Sequence, residues 1–319
     1  MTVGATLTAS LLAVLERPST WALALTGFLV RGGWLIVLAP IVVLPTAVGI
    51  GNVVAPLLED IAFGRNTEDV VRSGGTALVV VVAWLLVGGL LAAATEVETV
   101  RRTAASGELG VAPTVARSGT TRRVFVARVV ALLPLIVAFV WAVIRFVGVG
   151  YREFTNPSDV ALPVALRIVI GAPDAALGMV AGWLFGEIVG GIAARRVALA
   201  DDRVGSALRD GIGRLRARPA RSIGLAALSA VILLAVLVIT GIASGTAWDS
   251  VRGALAEGDA SIATSLILVL FVALFAGGLV LIGLVSAWRS ALWTVDVLGA
   301  GGSGLDGTFG GGAGTRTGD

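Results

Sequence analysis

Six long apolar stretches limit this chain more than any other feature. They are roughly Gly32–Ile50, Thr76–Thr95, Val124–Val149, Asp174–Ala194, Ile223–Ile242 and Ile262–Ala287. Each approaches or exceeds the roughly 20 apolar residues that a helix needs to cross the hydrocarbon core of a bilayer. Only 14% of the residues are charged, well below the roughly 25% usual for soluble domains. The sequence therefore predicts an all-α integral membrane protein with six transmembrane helices.

The composition also excludes several kinds of chemistry. The chain has no cysteine and no histidine, and all 24 of its basic residues are arginine. Disulfides, thiol nucleophiles, ordinary zinc sites and imidazole acid–base catalysis are therefore unavailable. No cofactor or metal motif stands out, and we expect neither. A net charge of +3 is too small to favour nucleic acid as a partner.

The arginines are concentrated in two of the five loops between the spans. Thr95–Arg123 and Arg195–Arg221 together hold thirteen arginines, whereas the other three loops together hold five among more acidic residues. Because basic loops stay on the cytoplasmic side, both termini are predicted to be cytoplasmic and the protein to lie in the plasma membrane. The lipid bilayer is the expected partner, with anionic headgroups at the cytoplasmic arginine clusters.

Short anchors recur along the chain and predict an internal repeat. Arg17-Pro18 precedes the first span and Arg218-Pro219 precedes the fifth, an offset of 201 residues, and half that offset leads to Arg117 ahead of the third span. We predict three parallel two-span repeats, approximately 1–100, 101–200 and 201–298, within one membrane domain, 1–298. The Gly-rich segment Gly299–Asp319 has almost nothing to bury and is predicted to be a disordered cytoplasmic tail.

Each repeat is predicted to begin with a short interfacial amphipathic helix. In Val204–Leu215, apolar residues recur at helical spacing with arginines on the other faces, which is typical of such a helix. Leu7, Leu11 and Leu15 give a weaker equivalent at the N-terminus, and Pro113–Arg122 gives the weakest.

This arrangement resembles that of six-span bacterial membrane proteins similar to the membrane domain attached to some glycerophosphodiester phosphodiesterases. The resemblance is carried by Arg17-Pro18, Arg218-Pro219 and Val204–Leu215, and it covers most of the chain without a specific motif. The catalytic domain of those enzymes would need histidine and acidic metal ligands, and histidine is missing. The resemblance implies an architecture and no activity, so we expect no enzyme.

The fourth span carries a row of glycines, Gly178, Gly182, Gly186 and Gly190, at four-residue intervals. Residues four apart lie on one helix face, so this glycine zipper forms a groove where another helix approaches closely. One interpretation is a face for self-association or for a protein partner. The other is tight packing within the bundle.

Glu187 lies in the same span, about 12 Å from its cytoplasmic end at 1.5 Å per residue. An ionised group at that depth costs a few kcal/mol unless it pairs or becomes protonated. Arg128 lies at compatible depth in the antiparallel third span and is the first predicted partner, with Arg31 and Arg289 as alternatives. In the first span, Pro40 and Pro45 predict either a kink or a broken helix that lines a pathway.

Three functional classes follow from these features. The first is a non-enzymatic scaffold or accessory component of the membrane. The second is a small-molecule or ion transporter that uses a buried Glu187–Arg128 pair, supported by the repeats and the prolines. An intramembrane or lipid-modifying enzyme would need a convergent cluster of carboxylates or hydroxyls, and the sequence shows none.

Overall fold

A computed structural model describes residues 2–42, 67–106, 109, 118–158, 161–257 and 261–301. Within these ranges the regular elements are helices, and six of them are long and apolar enough to cross a membrane. The prediction of an all-helical, multi-pass membrane protein is confirmed at this level. Of the segment Pro113–Arg122 only residues 118–122 are described, and a long helix begins there at Thr120. Most of the tail Gly299–Asp319 and the end of the predicted first span lie outside the described residues.

The helices follow the chain in a simple order: α1 Val3–Leu15, α2 Ser19–Phe28, a π-helical turn Leu29–Gly33, α3 Trp34–Leu38, α4 Thr67–Ala104, α5 Thr120–Thr155, α6 Val164–Gly171, α7 Pro173–Ala200, α8 Val204–Ala217, α9 Pro219–Ala256 and α10 Ile262–Gly301. The four longest have 36 to 40 residues, which corresponds to about 54–60 Å of helix. They therefore exceed the roughly 30 Å of bilayer hydrocarbon and extend beyond it. Helix α10 also reaches three residues into the range predicted to be tail.

The first span begins at Ser19 and not at Gly32, which corrects the predicted boundary. The apolar helix runs over Ser19–Leu38, and its interruption lies at Gly32, where φ is 104°. Glycine reaches this positive φ at little cost because it has no Cβ. Pro40 does not interrupt the helix: it lies in the turn after α3, where its missing N–H removes no bond from a helix interior.

Contacts divide the chain into two compact units. The first unit comprises Met1–Arg17, Val97–Ala230 and Trp288–Asp319, and it contains α1 and α5 to α8 complete. Its core is an apolar cluster centred on the fully buried Trp293 of α10. Around that ring pack Ile188, Ile192, Leu225, Ala226, Leu292 and Val297.

The second unit comprises Pro18–Glu96 and Val231–Ala287. Its aromatic cluster is built on Trp248 and Phe271, whose ring centroids are 5.1 Å apart, with Phe275 stacked 5.9 Å beyond Phe271. The Trp248 indole Nε1–H donates to the carbonyl of Ile41 at 3.2 Å. This unit is thus held mainly by apolar and aromatic side chains.

Helices α1 and α8 occupy two of the positions predicted for interfacial helices. Helix α8 buries Ala207 and Gly211, and Gly211 lies so close to α7 that an added Cβ would be 3.0 Å from the Val189 carbonyl oxygen. Helix α1 instead buries small residues, Ser10 among them, and leaves Leu11, Leu12 and Leu15 each 44–49% exposed. The outer surface of α1 is therefore apolar, which suits contact with lipid.

Candidate functional site

Glu187 is paired within the first unit. Its Oε1 lies 3.0 Å from Arg289 Nη2 on α10, and the side chains are only 17% and 20% exposed. Helix α7 presents Glu187 on the turn next to the buried residues Ile188 and Val189. Arg289 was one of the two alternative partners predicted from the sequence. The negative charge of the Glu187 carboxylate is therefore compensated by Arg289, which belongs to the same unit.

Arg128, the first predicted partner, also approaches α7 close to Glu187. A Cβ added to Gly190, one turn after Glu187, would lie 3.4 Å from both Cδ and Nη1 of Arg128. The structure therefore brings Glu187, Arg289 and Arg128 into one region of the first unit. A functional Glu187–Arg128 pair stays a prediction.

Arg31 makes a different pair, in the second unit. Its Nη2 lies 2.7 Å from Glu96 Oε2, with Arg31 47% exposed and Glu96 6% exposed. Arg31 belongs to the π-helical turn, directly before the positive-φ residue Gly32. The break in the first span thus carries the guanidinium that compensates a buried carboxylate.

Two arginines important to the first unit were not predicted from the sequence. Arg195 is 2% exposed, and its guanidinium donates to the Gly191 carbonyl at 3.0 Å and to the Ser290 hydroxyl at 3.0 Å. Arg221 pairs with Asp296, its Nη2 2.6 Å from the carboxylate. The sequence analysis counts Arg195 and Arg221 among the loop arginines, whereas in the structure both lie within helices, Arg195 in α7 and Arg221 in α9.

Further arginines hold the ends of helices in this unit. Arg17 donates to the carbonyls of Arg102 at 3.2 Å and Ala105 at 2.7 Å, at the C-terminal end of α4. Carbonyls there have no partner within the helix, so a guanidinium satisfies them. Arg123 of α5 bonds to Asp201, the left-handed residue that ends α7.

The glycine row of α7 lies against α5. An added Cβ at Gly182 would be 2.9 Å from Leu135 Cα, and one at Gly186 would be 3.1 Å from the Ala131 carbonyl oxygen. At Gly178 the nearest atom, the Ala138 Cβ, would be 4.0 Å away. Since α5 already fills the groove, the geometry supports tight packing within the bundle.

The chemistry available to this arrangement is limited. Within the described residues, no group of three or more acidic side chains is placed to hold a metal ion. The first unit offers guanidinium–carboxylate pairs, such as Arg289–Glu187 and Arg221–Asp296. Such pairs neutralise charge and fix neighbouring helices in a medium of low dielectric constant.

A small cavity lies in the second unit, between α3, α9 and α10. Its volume of about 20 Å³ is room for roughly one water molecule. Its wall is mainly apolar and includes Pro40, Gly241 and Phe275. Two hydroxyls in the wall bond to their own helix, Thr240 to the Val236 carbonyl at 2.7 Å and Ser244 to the Thr240 carbonyl at 2.6 Å. Both hydroxyl groups therefore already donate hydrogen bonds to backbone carbonyls of their own helix.

Comparison of the chain with protein-family models, with curated proteins and with solved structures found no match.

Proposed function

We propose that this protein is a non-enzymatic scaffold or accessory component of the plasma membrane, with both termini in the cytoplasm. The observation that carries the proposal is the Glu187–Arg289 pair at 3.0 Å, because it gives the deepest acidic residue of the fourth span a structural partner. A buried pair of this kind fixes the position of one helix against another. The arginines on the same side of the bundle support the orientation, since basic segments stay in the cytoplasm.

The packing of α5 on α7 supports the same role. A transport cycle needs helices that slide or rock against each other. Gly182 instead brings α7 within contact of the Leu135 backbone, and the pair Arg145–Asp174, with Nε and Oδ2 3.0 Å apart, joins the same two helices further along. This hairpin is suited to act as a rigid element.

The order of elements supports the proposed threefold repeat. Helix α1 is followed by Arg17-Pro18 and a span, and α8 is followed by Arg218-Pro219 and a span. Shifting the predicted fifth span back by the 201-residue offset gives 22–41, close to the observed helix Ser19–Leu38. Arg101, Arg195 and Arg289 also recur at intervals of 94 residues. A duplicated unit is a simple way to build a larger bundle, and it fits the resemblance to six-span bacterial membrane domains.

A double-mutant cycle on the carrying pair tests the structural role. We expect Glu187→Gln and Arg289→Gln each to lower the free energy of unfolding by about 2 kcal/mol, because each removes one charge of a partially buried pair. The double variant should lose less than the sum of the two. The measurement is SDS-induced unfolding of the purified protein, together with the amount of protein that accumulates in the membrane. Full stability in Glu187→Gln combined with a cellular defect would contradict the proposal.

A transporter is the second candidate, because the first span is discontinuous. Gly32 breaks the helix beside the Arg31–Glu96 pair, and broken helices next to charged groups are a feature of transporter sites. The chain contains no cysteine, so single cysteines can be introduced without removing others. Thr240→Cys in the cavity wall should resist a membrane-impermeant maleimide if the protein is a scaffold. Labelling of Thr240→Cys from both sides of the membrane would favour the transporter.

Two control positions calibrate this labelling. A cysteine that replaces Ser206, an exposed residue of α8, should react only from the cytoplasmic side. Thr155, at the far end of α5, should react from the outside only. Reversed labelling of both controls would overturn the proposed orientation.

A further inference from the structure

The arginines on and around α8 fall into two groups. The first group compensates the acidic residues of this segment. Arg196 Nε lies 2.8 Å from Asp202 and 3.4 Å from Asp210, and Arg214 Nε also lies 3.4 Å from Asp210. The carboxylates of Asp202 and Asp210 are thus already matched by two guanidiniums.

The second group is Arg203, which caps the start of α8, and Arg209 and Arg216, which lie on the helix and which we name the α8 arginine face. All three are exposed, and no ion pair within the described residues involves any of them. Arg209 and Arg216 are seven residues apart on α8. That is two helical turns, so they lie on the same side of the helix about 10.5 Å apart along its axis. The α8 arginine face therefore presents positive charge that nothing in the described protein compensates.

The surface beside these arginines is open. A Cβ added to Gly205 or to Gly213 would meet no atom within 4 Å. Ser206 is exposed as well, and its hydroxyl donates to the Arg203 carbonyl at 2.8 Å. An anionic group can thus approach the helix closely between the guanidiniums, without displacing a bulky side chain.

Packing on the opposite side holds this face outward. Ala207 and Gly211 are buried, and Gly211 lies against the backbone of Val189. Leu215 packs against the apolar cluster of the first unit. Helix α8 also joins the basic end of one span to the start of the next, so it lies at a membrane surface. Its orientation is set by the fold.

We propose that the α8 arginine face binds the phosphate groups of anionic phospholipids in the leaflet at that surface. Guanidinium groups bind phosphate oxygens through paired, charge-assisted hydrogen bonds. Lipid is the occupant because α8 is bounded on both sides by spans, and anionic headgroups at that surface carry the charge that complements the arginines. The role of the whole protein as a scaffold is not required for this site.

The test uses the full chain in nanodiscs that contain phosphatidylcholine with or without phosphatidylglycerol. Phosphatidylglycerol retained after detergent extraction is counted by native mass spectrometry. Each arginine near an anionic surface contributes roughly a five-fold preference, so Arg209→Gln with Arg216→Gln should lower the preference for phosphatidylglycerol roughly 25-fold. Replacement of both by lysine should keep most of it, because the charge remains.

The matched control removes two exposed arginines of other helices, Arg72→Gln with Arg152→Gln. It changes the net charge equally and should leave phosphatidylglycerol binding unchanged. On the wild-type protein, added sodium chloride should weaken retention, and inorganic phosphate at equal ionic strength should weaken it no further. Three results would each overturn the proposal. The α8 double variant could retain as much phosphatidylglycerol as the wild type, or the control could lose as much as the α8 variant. The third is displacement of the lipid by inorganic phosphate beyond the effect of ionic strength.

Discussion

Helices of the first unit meet through many charged side chains, whereas helices of the second unit meet mainly through aromatic rings and apolar side chains; glycines allow close approach in both. In the first unit, Arg195 is fully buried and Glu187 is compensated by Arg289. In the second, the clearest polar contacts are the Arg31–Glu96 pair and the Trp248 indole bond to Ile41. The first unit therefore adds charge pairing to close backbone approach, and the second combines close approach at glycines with aromatic packing and a helix break at Gly32.

The largest expected effect concerns the close approach of α7 to α5 in the first unit. Gly182→Ala places a Cβ 2.9 Å from Leu135 Cα and 3.0 Å from Leu135 N, both of which are backbone atoms that cannot move aside. We expect the free energy of unfolding to fall by about 2 kcal/mol, a typical cost of overpacking. Unfolding in SDS measures this change.

Gly178→Ala is the matched control, one turn away on the same face. The nearest atom would be 4.0 Å from its Cβ, so the change should be neutral or slightly stabilising. Equal losses for the two variants would show that the row as a whole, and not the contact at Gly182, determines stability. The contrast between the two units would then rest on charge pairs alone.

A smaller effect is expected at the break in the second unit. Gly32 has a φ of 104°, which costs a residue with a Cβ roughly 1 kcal/mol. Gly32→Ala should lower the free energy of unfolding by about that amount, without any steric clash, because an added Cβ there meets nothing within 4 Å. Gly277→Ala in α10 is equally unobstructed and helical, so it should raise stability by about 0.5–1 kcal/mol. A stabilising Gly32→Ala would mean that the span can straighten at no cost.

The sequence predicted the existence of the six helices because hydropathy alone determines which segments can cross a bilayer. It misplaced the start of the first span because Arg31 interrupts the apolar run that begins at Trp21. The structure uses Gly32 for the break, and a positive φ at a glycine leaves no mark in hydropathy. Boundary errors of this kind arise wherever a local backbone choice competes with periodicity.

The candidate site was predictable in the residue types that it brings together. The four-residue interval of Gly178 to Gly190 correctly placed these residues on one face, since helix geometry fixes that. Which helix fills the groove depends on tertiary packing, which one sequence does not reveal. Depth arguments placed both Arg128 and Arg289 among the candidate partners of Glu187, and the structure pairs Glu187 with Arg289 at 3.0 Å; the pair with Arg128 stays a prediction.

The smallest effect concerns the aromatic cluster of the second unit. Trp248→Phe keeps a ring beside Phe271 but removes the N–H that donates to the Ile41 carbonyl at 3.2 Å. We expect a loss of about 0.5–1 kcal/mol in the free energy of unfolding, the net value of one such bond. Trp84→Phe is the control, because the Trp84 ring contacts Trp34 edge-on and its indole makes no hydrogen bond within the described residues. A Trp248 loss that exceeds the loss of the Trp84 control by several kcal/mol would show that this unit depends on polar contacts as strongly as the first.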